Sequence, residues 1–383
     1  MDSDTPRKRR RVDPENGEDE DDKAGSAQEE KPIVRDEEYY KDNGDCVIRV
    51  RNVLFKIHRH LLDRDASAFS NMFSLPQGTE GTQGATDDDP LVLYDDADDF
   101  RALCWIIYAL PTVYLQQSEV AEANLKNLVA LYLISQKYHF EAHEKYARKL
   151  LSKHCSTLAC TILRCDMNKY YLFSCPETRL ASLLRIATLT DEPVKEYEKT
   201  LSSSIQDVWT SRLTNCNQSA AFAIGVGSEL GLRKFVAGLY YLEMTRMKAD
   251  HLSGSIAYSH PTNDLTLKQN FVLFKGSWSL HCYWLEMYRK SQLFKTFDCD
   301  HGCSHAYKES WRQIMVLQPT KTFDPVNRLG LLVNFLDLYA TKGSGEDQFC
   351  CASQTLKDMQ EALVCSFAEH FLGPEVSDQT PEA

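Results

Sequence analysis

"DCVIRVRNVLFKIHRHLLDRDASAFSNMF", residues 45–73, changes rhythm midway, and that change decides the fold. Cys46, Ile48 and Val50 alternate with Val47, Arg49 and Arg51; Val53, Phe55 and Ile57 alternate with Leu54, Lys56 and His58. A period of two sends successive side chains to opposite faces of a strand. Arg51 and Asn52 between the two runs read as a hairpin turn, because Asn tolerates a left-handed backbone. After His58 the apolar positions Leu61, Leu62, Ala66, Phe69, Met72 and Phe73 follow helical spacing. They predict two short helices, the second capped by Ser67.

Working outward, a Gly-, Thr- and Asp-rich loop (75–90) leads to a short strand, "LVLY" at 91–94. Asp96 or Asp98 caps a helix with Phe100, Leu103, Cys104 and Ile107 on one face, ended by Pro111. Leu125, Leu128, Val129 and Tyr132 mark another helix. A further one starts near Glu141, which is spaced to pair with Lys145. Strands in front and helices behind predict an α+β domain. From about residue 156 the strand signal fades. "SCPE" at 174–177 reads as a capping box, and helices follow around 180–187, 194–208 and from about 228. Phe271, Phe274, Trp278, Cys282 and Leu285 predict one or two more, followed by helices at 329–336 and 356–367. The expected division is 1–34 a disordered charged tail, 35–155 the α+β domain, 156–371 a mainly α-helical C-terminal domain, and 372–383 a disordered end.

The 383 residues carry a formal net charge of −12. That argues against a broad nucleic-acid footprint, which needs clustered Lys and Arg. The opening residues lack the apolar segment of a secretory signal. The longest apolar runs, such as 102–110, are far short of a membrane span. Thirteen scattered cysteines fit reduced thiols better than a disulfide framework. Lys8, Arg9, Arg10 and Arg11 form an exposed basic cluster ahead of the acidic run 13–22. Such a cluster is what a nuclear import receptor grips, so the expected location is the nucleus; the competing reading is a solvated charge run or a weak nucleic-acid contact.

Residues 35–155 resemble a BTB/POZ domain. The likeness is carried by "DCVIRV" at 45–50, "LFKIHRHLL" at 54–62, "FSNMF" at 69–73, "FRALCWIIY" at 100–108 and "LVALYLISQKYHF" at 128–140. Asp45, His58, Leu62 and Phe69 match the structural signature of that family, His58 as a helix-start and packing residue. The lead-in "EEYYKDNG" and the helical tail are similar to the fungal variety. The resemblance implies a protein-binding adaptor or scaffold, homodimerisation through the first helix and lead-in strand, and in some members recruitment of a cullin-type ubiquitin-ligase scaffold. Against the cullin reading, loop 76–90 has no bulky hydrophobic residue two before Glu80. The tail also lacks kelch repeats and tandem zinc fingers. The apolar stripe from Leu61 to Phe73 is expected to be partly covered by a second copy.

Three patterns bear on chemistry. "CDHGCSH" at 299–305 spaces two cysteines and two histidines for metal binding, and Cys299, Cys303 and His305 with Cys351 make a candidate structural zinc set. The alternative is a polar loop with incidental thiols. "GVGSELG" at 225–231 mimics a dinucleotide-binding loop but lacks a preceding strand, and reads instead as one helix ending and the next beginning. Cys155, Cys160 and Cys165 spread around a helix and read as small core residues. No phosphate-cradling loop, nucleophile elbow or zinc-protease motif is present, so no cofactor and no enzymatic activity is expected.

Overall fold

The structure is a computed structural model that describes residues 32–64, 66–75, 83–119, 123–161, 171–190, 199–250, 257–259, 264–291, 324–343 and 351–375. The charged tail at 1–31, with its basic cluster, lies outside them. A small four-stranded sheet comes first and helices follow: the architecture is mixed α and β, mostly helical.

The hairpin is β2 (Cys46–Val50) and β3 (Val53–Ile57), paired antiparallel from Cys46↔Ile57 to Val50↔Val53. The left-handed residue in its turn is Arg51, at φ 54°, and not Asn52. Arg51 also reaches Asp96 at 3.5 Å. A strand absent from the sequence reading, β1 (Val34–Tyr40), pairs parallel with β3. It escapes a search for alternation because its buried residues are Asp36 and Tyr39, three apart. The cause is a bulge. Between Arg35↔Leu54 and Tyr40↔Lys56, β1 advances five residues and β3 two. Asp36 folds the excess, its carboxylate accepting from the Glu38 and Tyr39 amides at 3.1 and 2.8 Å.

Next come α1 (Arg59–Leu62), α2 (Ala68–Ser74) and β4 (Leu91–Leu93), which pairs parallel with β2 to give the order β1-β3-β2-β4. Ser67 caps α2 as expected, accepting from the Ser70 amide at 3.3 Å. Asp96 caps α3 (Ala97–Ile107) through the Asp98 amide at 2.9 Å. Pro111 opens a short helix, α4 (Pro111–Gln116), instead of ending the previous one; its missing N–H costs nothing in a first turn. The sheet packs on α3, with Phe55 edge-on to Phe100 at 4.8 Å between ring centres, and α3 packs on α5 (Leu125–Tyr138).

Helix α6 (Glu141–Thr161) runs unbroken through the position where the sequence suggested a domain boundary. The tail then comprises α7 (Tyr171–Ser174), α8 (Glu177–Thr190), α9 (Leu201–Cys216), α10 (Ala221–Glu229) and α11 (Arg233–Arg246). A two-stranded ribbon, β5 (Lys248–Asp250) with β6 (Ala257–Ser259), interrupts an otherwise helical tail and was not expected. The last elements are α12 (Leu267–Ser291), α13 (Pro325–Gly343), α14 (Cys351–Cys365) and α15 (Phe367–Leu372).

One tail reading is corrected. Glu177 does not close a capping box: its carboxylate accepts from the Trp209 indole at 3.3 Å, holding α8 to α9. On α12 the residues whose spacing marks the helix are not the ones it buries. Leu273, Gly276, Leu280 and Trp284 point inward, whereas Phe271, Phe274, Trp278, Cys282 and Leu285 are exposed.

Candidate functional site

The four signature residues meet at the joint between hairpin and helices. The Asp45 carboxylate accepts from the Arg59 amide at 2.6 Å, capping α1 from across the chain. His58 stands at the N-cap position of α1 without a side-chain cap of its own. Its amide and Nδ1 both lie against the Tyr108 hydroxyl, at 3.0 and 2.7 Å. With one ring nitrogen tied to a tyrosine at a helix start, His58 serves packing. Leu62 and Phe69 are buried, and the Phe69 ring lies tilted against Tyr138 at 4.8 Å and Phe140 at 6.0 Å between centres.

Within the chain, part of this stripe is already buried. Leu62 and Phe69 are core, and Met72 and Phe73 lean on it. The Arg59 guanidinium lies 4.3 Å over the Phe73 ring and donates to the Phe73 carbonyl at 2.8 Å. The exposed large apolar side chains of the front unit are Ile33 and Val34 at the start of β1, Leu75 after α2, Val92 and Tyr94 at β4, Leu110 at the N-cap of α4 and Leu115 within it.

Front and tail interlock through polar contacts. Arg179 of α8 donates both terminal nitrogens to the Asp99 carboxylate of α3. Arg148 of α6 donates to the Thr190 carbonyl at 2.5 Å, and Tyr132 of α5 shares a hydrogen bond with the Thr190 hydroxyl at 2.7 Å. Within the front unit, His154 of α6 holds the Gln117 carbonyl at 2.8 Å.

Of the candidate zinc set, Cys299, Cys303 and His305 fall outside the described residues, and Cys351 is known only as the first residue of α14. Among the described residues no group of three or more His, Cys, Asp or Glu side chains is placed to hold a metal ion. Burial pushes the Cys46 thiol up to about 11 and the Cys155 thiol up to about 12, and raises Cys104 as well. Thiols held protonated in this way are poor nucleophiles and poor ligands. The glycines of "GVGSELG" lie inside α10 and its turn, not in a strand-to-helix loop. Gly227 is there for close approach: a Cβ would sit 2.7 Å from Val236 and 2.9 Å from Phe235 of α11. Among the described residues no helix is long and apolar enough to cross a membrane.

Comparison with known proteins finds nothing similar: no family model, no curated protein and no solved structure matches the chain.

Proposed function

We propose that the chain is a protein-binding adaptor of the BTB/POZ type, acting as a homodimer in the nucleus and performing no catalytic step. One observation carries the reading: the joint between hairpin and helices, where Asp45 accepts from the Arg59 amide and the Tyr108 hydroxyl accepts from the His58 amide, so that two strands hand over at once to two short helices. That construction gives rigid secondary structure around a closed core, a scaffold for display. The cullin reading has less support, since the loop 76–90 carries Gly78, and no bulky hydrophobic residue, two before Glu80.

The test is proximity labelling in cells with the intact chain. Removing the tail is unsuitable, because Leu151 and Cys155 on α6 are core residues and would be laid bare. Point substitutions on exposed front positions serve instead: Tyr94→Ser, and Leu110→Ser with Leu115→Ser. Loss of specific neighbours with an unchanged melting temperature is expected; a set of neighbours indifferent to all three would reject the adaptor. For location, replacing Lys8, Arg9, Arg10 and Arg11 by Ala should move the protein from nucleus to cytoplasm. An unaltered distribution would reject the role of the cluster.

A further inference from the structure

Two hydroxyl residues of the chain are followed directly by at least two acidic residues: Thr86, in "TDDDP" at 86–90, and Thr190, in "TDEP" at 190–193. A Ser/Thr kinase whose substrate groove is lined with basic groups selects such sequences by charge complementarity. The structure separates the two. The Thr190 hydroxyl donates to the Ile186 carbonyl at 2.9 Å and lies 2.7 Å from the Tyr132 hydroxyl, inside the contact between front and tail. Thr86 is exposed, and its hydroxyl has no hydrogen-bond partner among the described residues.

The place of Thr86 in the fold supplies a receiver for a phosphate. Ile48 and Phe55 face the core, so Val47 and Arg49 of β2, with Lys56 and Leu54 opposite them on β3, form the outer face of the sheet. Arg35 of β1 is in register with Leu54 and shares that face. The loop before β4 is fastened on both sides of it. The Val47 amide donates to the Gly84 carbonyl at 2.7 Å, on β2. The Asp87 carboxylate accepts from the Arg35 guanidinium at 2.6 and 3.1 Å and from the Tyr40 hydroxyl at 2.6 Å, on β1. Because β3 lies between β1 and β2, the segment 84–87 crosses the outer face. Val47 and Leu54 are accordingly 1% and 6% exposed although they point away from the core. Arg49 stands on the same face as a charge without a partner. Its Nε is buried and unbonded, and no carboxylate among the described residues pairs with it.

We propose that Thr86 is a phosphorylation site for an acid-directed Ser/Thr kinase, and that Arg49 receives the phosphate. The γ-phosphoryl group of ATP passes to the Thr86 hydroxyl oxygen: an O–P bond forms there, the bond to the ADP oxygen breaks, and the hydroxyl proton goes to the base of the kinase. The product carries a charge of about −1.5 to −2 and three acceptor oxygens next to Asp87, Asp88 and Asp89. Repulsion from those carboxylates by itself loosens the loop. Arg49 reverses the sign, because a guanidinium offers phosphate two parallel N–H donors and fastens the loop across the sheet. The inference goes beyond the adaptor reading and uses no part of it.

The experiment treats the full-length protein with an acid-directed Ser/Thr kinase and ATP, maps the phosphate by fragment mass spectrometry, and compares melting temperatures before and after. Phosphate at Thr86 and none at Thr190 is expected. Thr86→Ser should keep the site and Thr86→Ala remove it. Asp88→Asn with Asp89→Asn should slow the reaction at least about tenfold, by removing the charges the kinase reads. Modification at Thr86 should raise the melting temperature by about 2–4 °C. Arg49→Gln should be modified as readily but melt lower after modification than before, and Arg49→Lys, which keeps the charge without the fork, should retain part of the rise. An unmodified Thr86, or Thr190 modified as fast, would overturn the site. A melting shift equal in the wild type and in Arg49→Gln would overturn Arg49 as the receiver.

Discussion

Arg179 closes on Asp99 with both terminal guanidinium nitrogens, one of them at 2.7 Å, joining α8 of the tail to α3 of the front unit. The side chains are 21% and 15% exposed, so the pair is partly dehydrated. Breaking such a pair from one side strands the other charge. Arg179→Ala is expected to cost about 2–4 kcal/mol in chemical denaturation. Arg179→Met with Asp99→Leu should recover most of that, because it removes both charges. Equal losses in the single and double variants would show that packing, not pairing, is at work.

Gly276 tolerates no side chain. A Cβ there would come within 1.9 Å of Phe371, which is buried between α12 and α11 and stacks on Tyr240 at 5.7 Å. Gly276→Ala should destabilise the chain by about 1–3 kcal/mol through overpacking. Adding Phe371→Leu should return part of the loss. A thermal midpoint unchanged by Gly276→Ala would contradict this close approach.

His370 confers a pH dependence on the docking of α15. Its Nδ1 lies 2.8 Å from the Ser279 hydroxyl and its ring 5.2 Å from that of Tyr283, both on α12. Burial pulls its pKa below the ordinary histidine range, with the Glu369 carboxylate opposing. A group lowered on folding binds fewer protons folded than unfolded, so stability is complete above the unfolded value near 6.5 and declines as pH falls through the folded one. Melting should therefore be less cooperative or earlier at pH 5.5 than at pH 7.5. His370→Gln should flatten that difference. A variant with an unchanged pH profile would assign the effect elsewhere.

A structural zinc on Cys299, Cys303, His305 and Cys351 remains a proposal from spacing. Purified protein should then carry about one equivalent of zinc, and a strong chelator should lower its melting temperature, since metal binding and folding are coupled. Less than about a tenth of an equivalent would dismiss the set.

Much of the front unit was legible because its physics is local. Alternation marked β2 and β3, and Ser67 and Asp96 cap the helices their chemistry suits. What was missed depends on tertiary context. β1 buries Asp36, whose charge is met by Arg101 at 2.6 Å from a distant helix, so no apolar pattern announces it. On α12 two apolar stripes share one helix, and periodicity cannot say which faces the core; Gly276 beneath Phe371 decides it. The candidate site followed the same rule. Asp45, His58, Leu62 and Phe69 were named from the sequence, but the burial of their stripe followed only from Tyr138 and Phe140 lying against it.

Helix α6 enters both halves of the molecule as one uninterrupted rod of 21 residues. Because α6 packs both on α5 and on α9, a pull exerted on α9 is passed to α5 along the axis of a single helix.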